Sequence, residues 1–155
     1  MCGIFVLVNK RLKILDKNRL SNSIEGIQYR GSDESITTYI STDYKYQKKF
    51  NDNILISMSS RRFATQGKNI YNSMPLESEK GNLICFNGDI YNFEDLKKNE
   101  LENHKIRSDG DTEIFLKIYE KYNLNFINYL NGDYASVIFD KEKLKLFCFV
   151  DYYTT

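Results

Sequence analysis

Four stretches of this chain carry residue types that could do chemistry, and the first begins at its second residue. Met1-Cys2-Gly3 places a thiol where removal of the initiator methionine would expose a free α-amine. One residue would then hold both a nucleophile and a base. An α-amine titrates near about 7.7, well placed for proton transfer around neutral pH, and an N-terminal nucleophile that uses its own amine is an established activation scheme. Gly3 lets the backbone pack closely behind the thiol. The same cysteine also reads as a small apolar residue opening a strand. In Arg61-Arg62-Phe63-Ala64-Thr65-Gln66-Gly67 an arginine could clamp a carboxylate through two parallel hydrogen bonds, or lie solvated on the surface. In Asn87-Gly88-Asp89 the side-chain amide and the glycine N–H could form an oxyanion hole. Asn-Gly is equally the strongest short hairpin signal, although the residues after it read as a capped helix and not as a returning strand. Asp109-Gly110-Asp111-Thr112-Glu113 offers Asp111 as a helix N-cap, with a carboxylate that could also receive a ligand's ammonium group. The ligand spacing of a calcium loop is absent from this acidic run.

Other chemistries are poorly supplied. His104 is the single histidine, set in a charged stretch between Asn103 and Lys105. The cysteines at 2, 85 and 148 are too widely spaced for a zinc site and are odd in number, a poor disulfide framework. No metal or other cofactor is expected. Lys and Arg total 22 against 21 Asp and Glu, a net charge of +1, so no strong field draws nucleic acid or an anionic membrane. The longest apolar run, Ile4 to Val8, is far short of the about 20 residues that span a bilayer. Lys10 and Arg11 follow that run instead of preceding it as in a secretory signal. These features predict a cytoplasmic protein with no nucleic-acid or membrane partner.

The elements that must position these residues follow from the patterning. The 155 residues, 41% hydrophobic and 28% charged, suit one folded domain with an ordinary core. Residues 3–8 read as a buried strand and 16–29 as a helix capped by Asp16. Residues 35–44 and 53–59 read as strands joined by a polar hairpin loop. The stretch 60–79 shows no period and contains the only proline, Pro75. It reads as a long loop, and such loops inside compact domains are often functional. A strand over 82–86 is expected to end at Asn87-Gly88-Asp89. Two helices follow, Phe93–Glu100 capped by Asn92 and a longer one capped by Asp111, and then strands over 134–139 and 144–150. Segregated strands and helices predict an α+β fold, with most of the 12 Tyr and 10 Phe in the core.

Taken in order, these pieces resemble the class II glutamine amidotransferases, N-terminal-nucleophile hydrolases that take ammonia from glutamine. The resemblance rests on Met1-Cys2-Gly3-Ile4, Tyr29-Arg30-Gly31-Ser32-Asp33, Arg62-Phe63-Ala64-Thr65, Asn72-Ser73-Met74-Pro75-Leu76, Asn87-Gly88-Asp89-Ile90-Tyr91-Asn92, Gly110-Asp111-Thr112-Glu113 and Asp133-Tyr134-Ala135-Ser136-Val137-Ile138-Phe139-Asp140. It implies a four-layer αββα sandwich of two antiparallel sheets. It implies Cys2 as the nucleophile, Asn87 and Gly88 as the oxyanion hole, Arg62 as the anchor of the glutamine α-carboxylate, and Asp111, helped by Asp89, as the partner of the α-ammonium. Phe63 and Thr65 belong to the substrate loop by the same likeness. Hydrolysis would pass through a γ-glutamyl thioester, and ammonia would go to a synthase domain or subunit.

Asn87-Gly-Asp-Ile-Tyr-Asn-Phe and Met74-Pro-Leu look most like the glutaminase half of asparagine synthetases, although Ser60 stands where that group usually has His and Phe63 where it has Leu. Arg62-Phe-Ala-Thr-Gln-Gly looks closer to glucosamine-6-phosphate synthase. The chain is expected to be a single amidotransferase domain over 1–155, without the family's Arg-Asp-x-x-Gly-x-x-Pro-Leu run, its closing strands or a synthase domain. A non-catalytic glutamine-binding or scaffold relative is the alternative this departure raises.

Overall fold

The computed structural model describes residues 2–62 and 72–153. β1 (Gly3–Val8) is the predicted apolar strand. α1 (Lys17–Glu25) starts where the Asp16 carboxylate accepts from the N–H groups of Asn18 at 2.9 Å and Arg19 at 3.1 Å, as its type and position predict. It stops four residues earlier than the periodicity suggests. Gly26, a poor helix residue, takes the C-cap, and the chain tightens into a 3₁₀ turn over Gln28–Arg30. β2 (Glu34–Ser41), β3 (Tyr46–Gln47) and β4 (Ile54–Arg62) complete an antiparallel sheet in the order β1-β4-β2-β3. β4 runs three residues beyond its expected end. Its last residues are held by the neighbouring strands: Arg61 faces Gly3 on one side and Ser35 on the other, and Arg62 faces Glu34.

The second antiparallel sheet is β5 (Leu76–Glu77), β6 (Leu83–Ile90), β7 (Gly132–Asp140) and β8 (Lys145–Val150), in that order. β5 falls inside the stretch read as loop. β6 does not turn at Asn87-Gly88. It continues in register, with Asn87 opposite Ala135 and Gly88 opposite Tyr134, so the hairpin reading of Asn-Gly is set aside by the strand that pairs with it.

Alternation along β6 builds two cores. Leu83 and Cys85 point between the sheets and pack with Ile40, Ile56, Met58 and Phe139. Ile84 and Phe86 point the other way, onto α3 (Asp111–Tyr122), where Ile114, Phe115, Ile118 and Tyr119 are buried. Phe115 sits at the centre of that second core, its ring 5.0 Å from Phe126 and 5.1 Å from Tyr134. Each such side chain contributes about 1.5–3 kcal/mol by leaving water. α2 (Phe93–Asn99) packs beside α3 through Leu96, and α1 covers the outer face of the first sheet with Leu20 and Ile24. The result is the expected α+β sandwich of two antiparallel sheets between helical layers. The aromatics are core residues for the most part, although Tyr29 and Tyr152 are fully solvent-facing. Among the described residues no helix is long and apolar enough to cross a membrane.

Two helix caps differ from expectation. Gly110, not Asp111, occupies the N-cap of α3, and Asp111 is its first helical residue. The Asp111 carboxylate is drawn sideways to the neighbouring strand, accepting the Ile90 N–H at 2.9 Å. Asn92 stands at the N-cap of α2 but its side chain makes no cap bond. It accepts from Asn131 N–H and donates to the Tyr129 carbonyl instead, tying the α2 start to the approach to β7.

Candidate active site

The N-terminal end of β1 and the C-terminal halves of β4 and β6 meet at one end of the sandwich. A pocket of about 380 Å³ opens there, lined among others by Cys2, Arg62, Gly88, Asp89 and Asp111. Six of the eight residues singled out from the sequence are thus at one place once Asn87 is added, since its Oδ1 accepts a 2.6 Å hydrogen bond from the Cys2 backbone nitrogen. Phe63 and Thr65 lie outside the described residues.

That bond fixes the orientation of the Asn87 amide. The nitrogen of Cys2 donates, so the carbonyl arm faces it and the Nδ2 arm points elsewhere, with no hydrogen-bond partner among the described residues. If Met1 is removed, this same nitrogen becomes the free α-amine. Cys2 is also tied from behind, because Arg30 Nε donates to the Cys2 carbonyl at 3.3 Å. The 3₁₀ turn that carries Arg30 spans Gln28–Arg30, and only its first two residues fall within the 16–29 stretch whose periodicity predicts a helix.

The strand hydrogen-bond pattern decides what Gly88 presents. In an antiparallel pair, bonded and non-bonded positions alternate. Tyr134 spends its N–H and C=O on Asp151, so its opposite, Gly88, is a non-bonded position. The N–H groups of Phe86, Gly88 and Ile90 therefore all leave β6 on the side away from β7. Phe86 N–H is taken by Met74 Sδ at 3.2 Å and Ile90 N–H by Asp111. The Gly88 N–H between them has no acceptor among the described residues and borders the pocket. Gly88 is glycine for two reasons. Its φ is +145°, where side chains are strained, and a Cβ would stand 2.1 Å from the Asp133 carbonyl oxygen.

The opposite wall carries the charged groups. Arg62 ends β4 at the pocket. Burial pushes the Asp111 carboxyl above its usual range; the Ile90 N–H pulls it back down, and the nearby Asp89 carboxylate adds to the upward push. Asp89 itself is exposed at the rim. Two supports of this wall were not anticipated. Asn72 Nδ2 donates to Asp109 at 2.6 Å, joining the segment before β5 to the start of α3. Buried Glu113 accepts from the N–H groups of Arg107 at 2.9 Å and Ser108 at 2.7 Å and pairs with Arg107 Nε at 3.2 Å. Burial pushes the Glu113 carboxyl up, but these donors together outweigh it and hold it below its usual range. A glutamate at the third helical position signals a reach back towards the helix start, and that signal was available in Asp111-Thr112-Glu113.

The other thiols do not compete for the pocket. Cys85 is fully buried, and burial pushes its thiol well up, away from the reactive thiolate form. Cys148 is exposed on β8. Among the described residues no group of three or more His, Cys, Asp or Glu is placed to hold a metal ion.

The assembled chemistry is a half-buried thiol beside its own backbone nitrogen, two unspent N–H donors, one cation and one desolvated carboxylate. A family profile described as a glutamine amidotransferase domain matches residues 1–153. The chain is a glutamine amidotransferase domain. Among curated relatives, the domain is 29% identical over 147 residues to asparagine synthetase [glutamine-hydrolyzing] 1 of Arabidopsis thaliana, which covers 90% of this chain and 22% of that protein. It is 26% identical over 151 residues to asparagine synthetase [glutamine-hydrolyzing] 2 of Bacillus subtilis, covering 95% of this chain and 18% of the relative. The domain therefore spans about a fifth of the length of these two proteins. In fold it is similar to the glutamine phosphoribosylpyrophosphate amidotransferase of B. subtilis, with a TM-score of 0.67 at 16% identity over 91% of this chain and 35% of that one.

Proposed function

We propose that this domain hydrolyses glutamine to glutamate and ammonia and supplies the ammonia to an acceptor domain or subunit, in the manner of asparagine synthetases. The observation that carries the reading is the 2.6 Å bond that holds the Cys2 nitrogen on Asn87 at the mouth of a pocket also lined by Arg62 and Asp111. With Met1 removed, the Cys2 amine takes the thiol proton and the sulfur attacks the glutamine side-chain carbonyl. Asn87 Nδ2 and Gly88 N–H stabilise the oxyanion as it develops. The amine returns the proton to the leaving nitrogen, ammonia departs, and a γ-glutamyl thioester remains on Cys2. Water, deprotonated by the same amine, then releases glutamate and regenerates the thiol. Arg62 holds the α-carboxylate. Asp111, with Asp89 at the rim, receives the α-ammonium, so a zwitterionic end meets one group of each sign. Residues 1–155 act as one domain in this reading, with no cofactor taking part.

Intact mass measured before and after treatment with 6-diazo-5-oxonorleucine, a glutamine-shaped electrophile, tests it. The expected result is loss of Met1 and a single adduct on Cys2, absent from the Cys2→Ala protein. A retained Met1, or a free Cys2 that never labels, would sink the catalytic reading.

The Asp111 assignment has its own pH signature. A carboxylate attracts an ammonium group, and the neutral acid does not. Because the Asp111 carboxyl is raised, acidification removes its charge sooner than for an ordinary aspartate at about 3.9. In the Cys2→Ala protein, the dissociation constant for glutamine should rise as pH falls, setting in above that ordinary value. Asp111→Asn should bind about tenfold or more weakly at neutral pH and show no such rise. Calorimetric titrations at several pH values, with circular dichroism to confirm folding, make the comparison. A parallel rise in both proteins would assign the effect to another group.

A further inference from the structure

The outer face of the first sheet is unexpectedly polar beneath α1. Apolar residues of β2 and β4 turn inward, so the strand residues left facing the helix include Ser35, Thr37 and Tyr39 on β2 and Ser57, Ser59 and Arg61 on β4. Leu20 and Ile24 cover part of this face. Where they do not reach, a cleft of about 260 Å³ remains between helix and sheet, lined among others by Lys17, Glu25, Ser35, Thr37, Tyr39 and Arg61.

Arg61 is the unusual member. It lies one residue before Arg62 on β4, so strand alternation sends the two arginines to opposite faces of the sheet. Arg62 borders the active-site pocket and Arg61 borders this cleft. The Arg61 Nε atom is buried without a hydrogen-bond acceptor among the described residues. A buried donor left unsatisfied on a charged group is costly, and it leaves the positive charge of Arg61 uncompensated beside the cleft that the residue lines. Lys17, in the first turn of α1, adds a second cation, and neither it nor Arg61 forms an ion pair among the described residues. Glu25 is the one carboxylate among the residues named, so the two cations outweigh it. Ser35 and Tyr39 add hydroxyl donors, whereas the Thr37 hydroxyl is already engaged with Ser59 at 2.9 Å.

We propose that the cleft between α1 and the outer face of the first sheet is a binding site for a small oxyanion, a phosphate or carboxylate group, held by Arg61 and Lys17. Arg61 takes two oxygens through its planar fork, as guanidinium groups do, and Lys17 closes the site from the helix. This site is separated from the glutamine pocket by the sheet itself and does not depend on the catalytic reading.

Isothermal titration of the intact chain with inorganic phosphate tests it, with chloride at matched ionic strength as the baseline. One saturable site per chain is expected, undisturbed by excess glutamine. Its affinity should fall about tenfold or more in Lys17→Gln and in Arg61→Gln and stay unchanged in Lys10→Gln, which lies outside the cleft. The Lys17 side chain is solvent-exposed at the edge of the cleft, so that variant carries the test even if Arg61→Gln fails to fold. Succinate as competitor separates the sources: displacement of phosphate marks a site for either anion, and its failure narrows the ligand to phosphates. Absence of saturable heat beyond chloride, displacement by glutamine, or equal affinity in Lys17→Gln and the parent protein would each overturn the proposal.

Discussion

Replacing Asn87 with alanine should lower kcat for glutamine hydrolysis by about 10²- to 10³-fold, the usual cost of losing one oxyanion donor, while KM changes little. The expectation rests on the proposed thioester mechanism. Asn87 has two arms with separate tasks: Oδ1 accepts from the Cys2 nitrogen at 2.6 Å, and Nδ2 is left to face the reacting oxygen. Asn87→Ala removes both. Asn87→Asp separates them, because a carboxylate still accepts from the Cys2 amine but cannot donate to an oxyanion, and its charge repels one. The aspartate variant should therefore be at least as slow as the alanine variant while still reacting with a small thiol reagent at the parent rate. Glutamate release and thiol labelling, measured on the same preparations, distinguish the two tasks. An Asn87→Asp enzyme with the parent kcat would remove Asn87 from the oxyanion hole.

Gly88→Ala should be the most destabilising single substitution near the site. The added methyl group meets the Asp133 carbonyl oxygen at 2.1 Å and Tyr134 Cα at 2.6 Å. Both are backbone atoms of the paired strand and cannot turn aside. The backbone is also held at φ +145°, a region that costs an ordinary residue about 1–3 kcal/mol. Overpacking adds about 1–3 kcal/mol, so the combined loss is at least about 2 kcal/mol. For a domain of this size that corresponds to a fall in Tm of at least roughly 4–8 °C. Calorimetry or thermal circular dichroism reads the change directly. A fall of less than about 2 °C would mean that β6 and β7 separate easily here and that the glycine is not required by the pairing.

Much of this architecture was legible in the linear chain, and the reasons differ by element. The strand over residues 3–8, the Asp16 cap and the apolar face of α3 are local signals, set by neighbours within a turn or two. They appear in the structure as read, apart from their ends. The misread elements are those decided by a distant partner. Arg61 and Arg62 look like loop residues, yet they are strand because Gly3 and Ser35 hold Arg61 from both sides and Glu34 pairs with Arg62. Asn87-Gly88 carries a strong turn signal, yet it stays extended because Ala135 and Tyr134 continue the ladder past it. Asp111 has every local qualification for an N-cap, and Ile90 on another strand takes its carboxylate instead.

The candidate site divides along the same line. The sequence by itself determined which groups are present: a thiol one residue from the start, an amide followed by glycine, an arginine and an acidic helix start, in an order that a single family shares. Residue type is chemistry, and chemistry needs no partner to be read. Only the tertiary structure decided which atoms of those groups remain available. Asn87 turns its carbonyl to Cys2 because the ends of β1 and β6 meet. Gly88 keeps its N–H because Tyr134 bonds in the other direction. Arg61 and Arg62, adjacent in the chain, are sent to opposite faces because a strand alternates its side chains. Availability is what remains after every nearer donor and acceptor has been satisfied, and those partners lie 46 to 85 residues away along the chain from Asn87 and Gly88, where only folding brings them into reach.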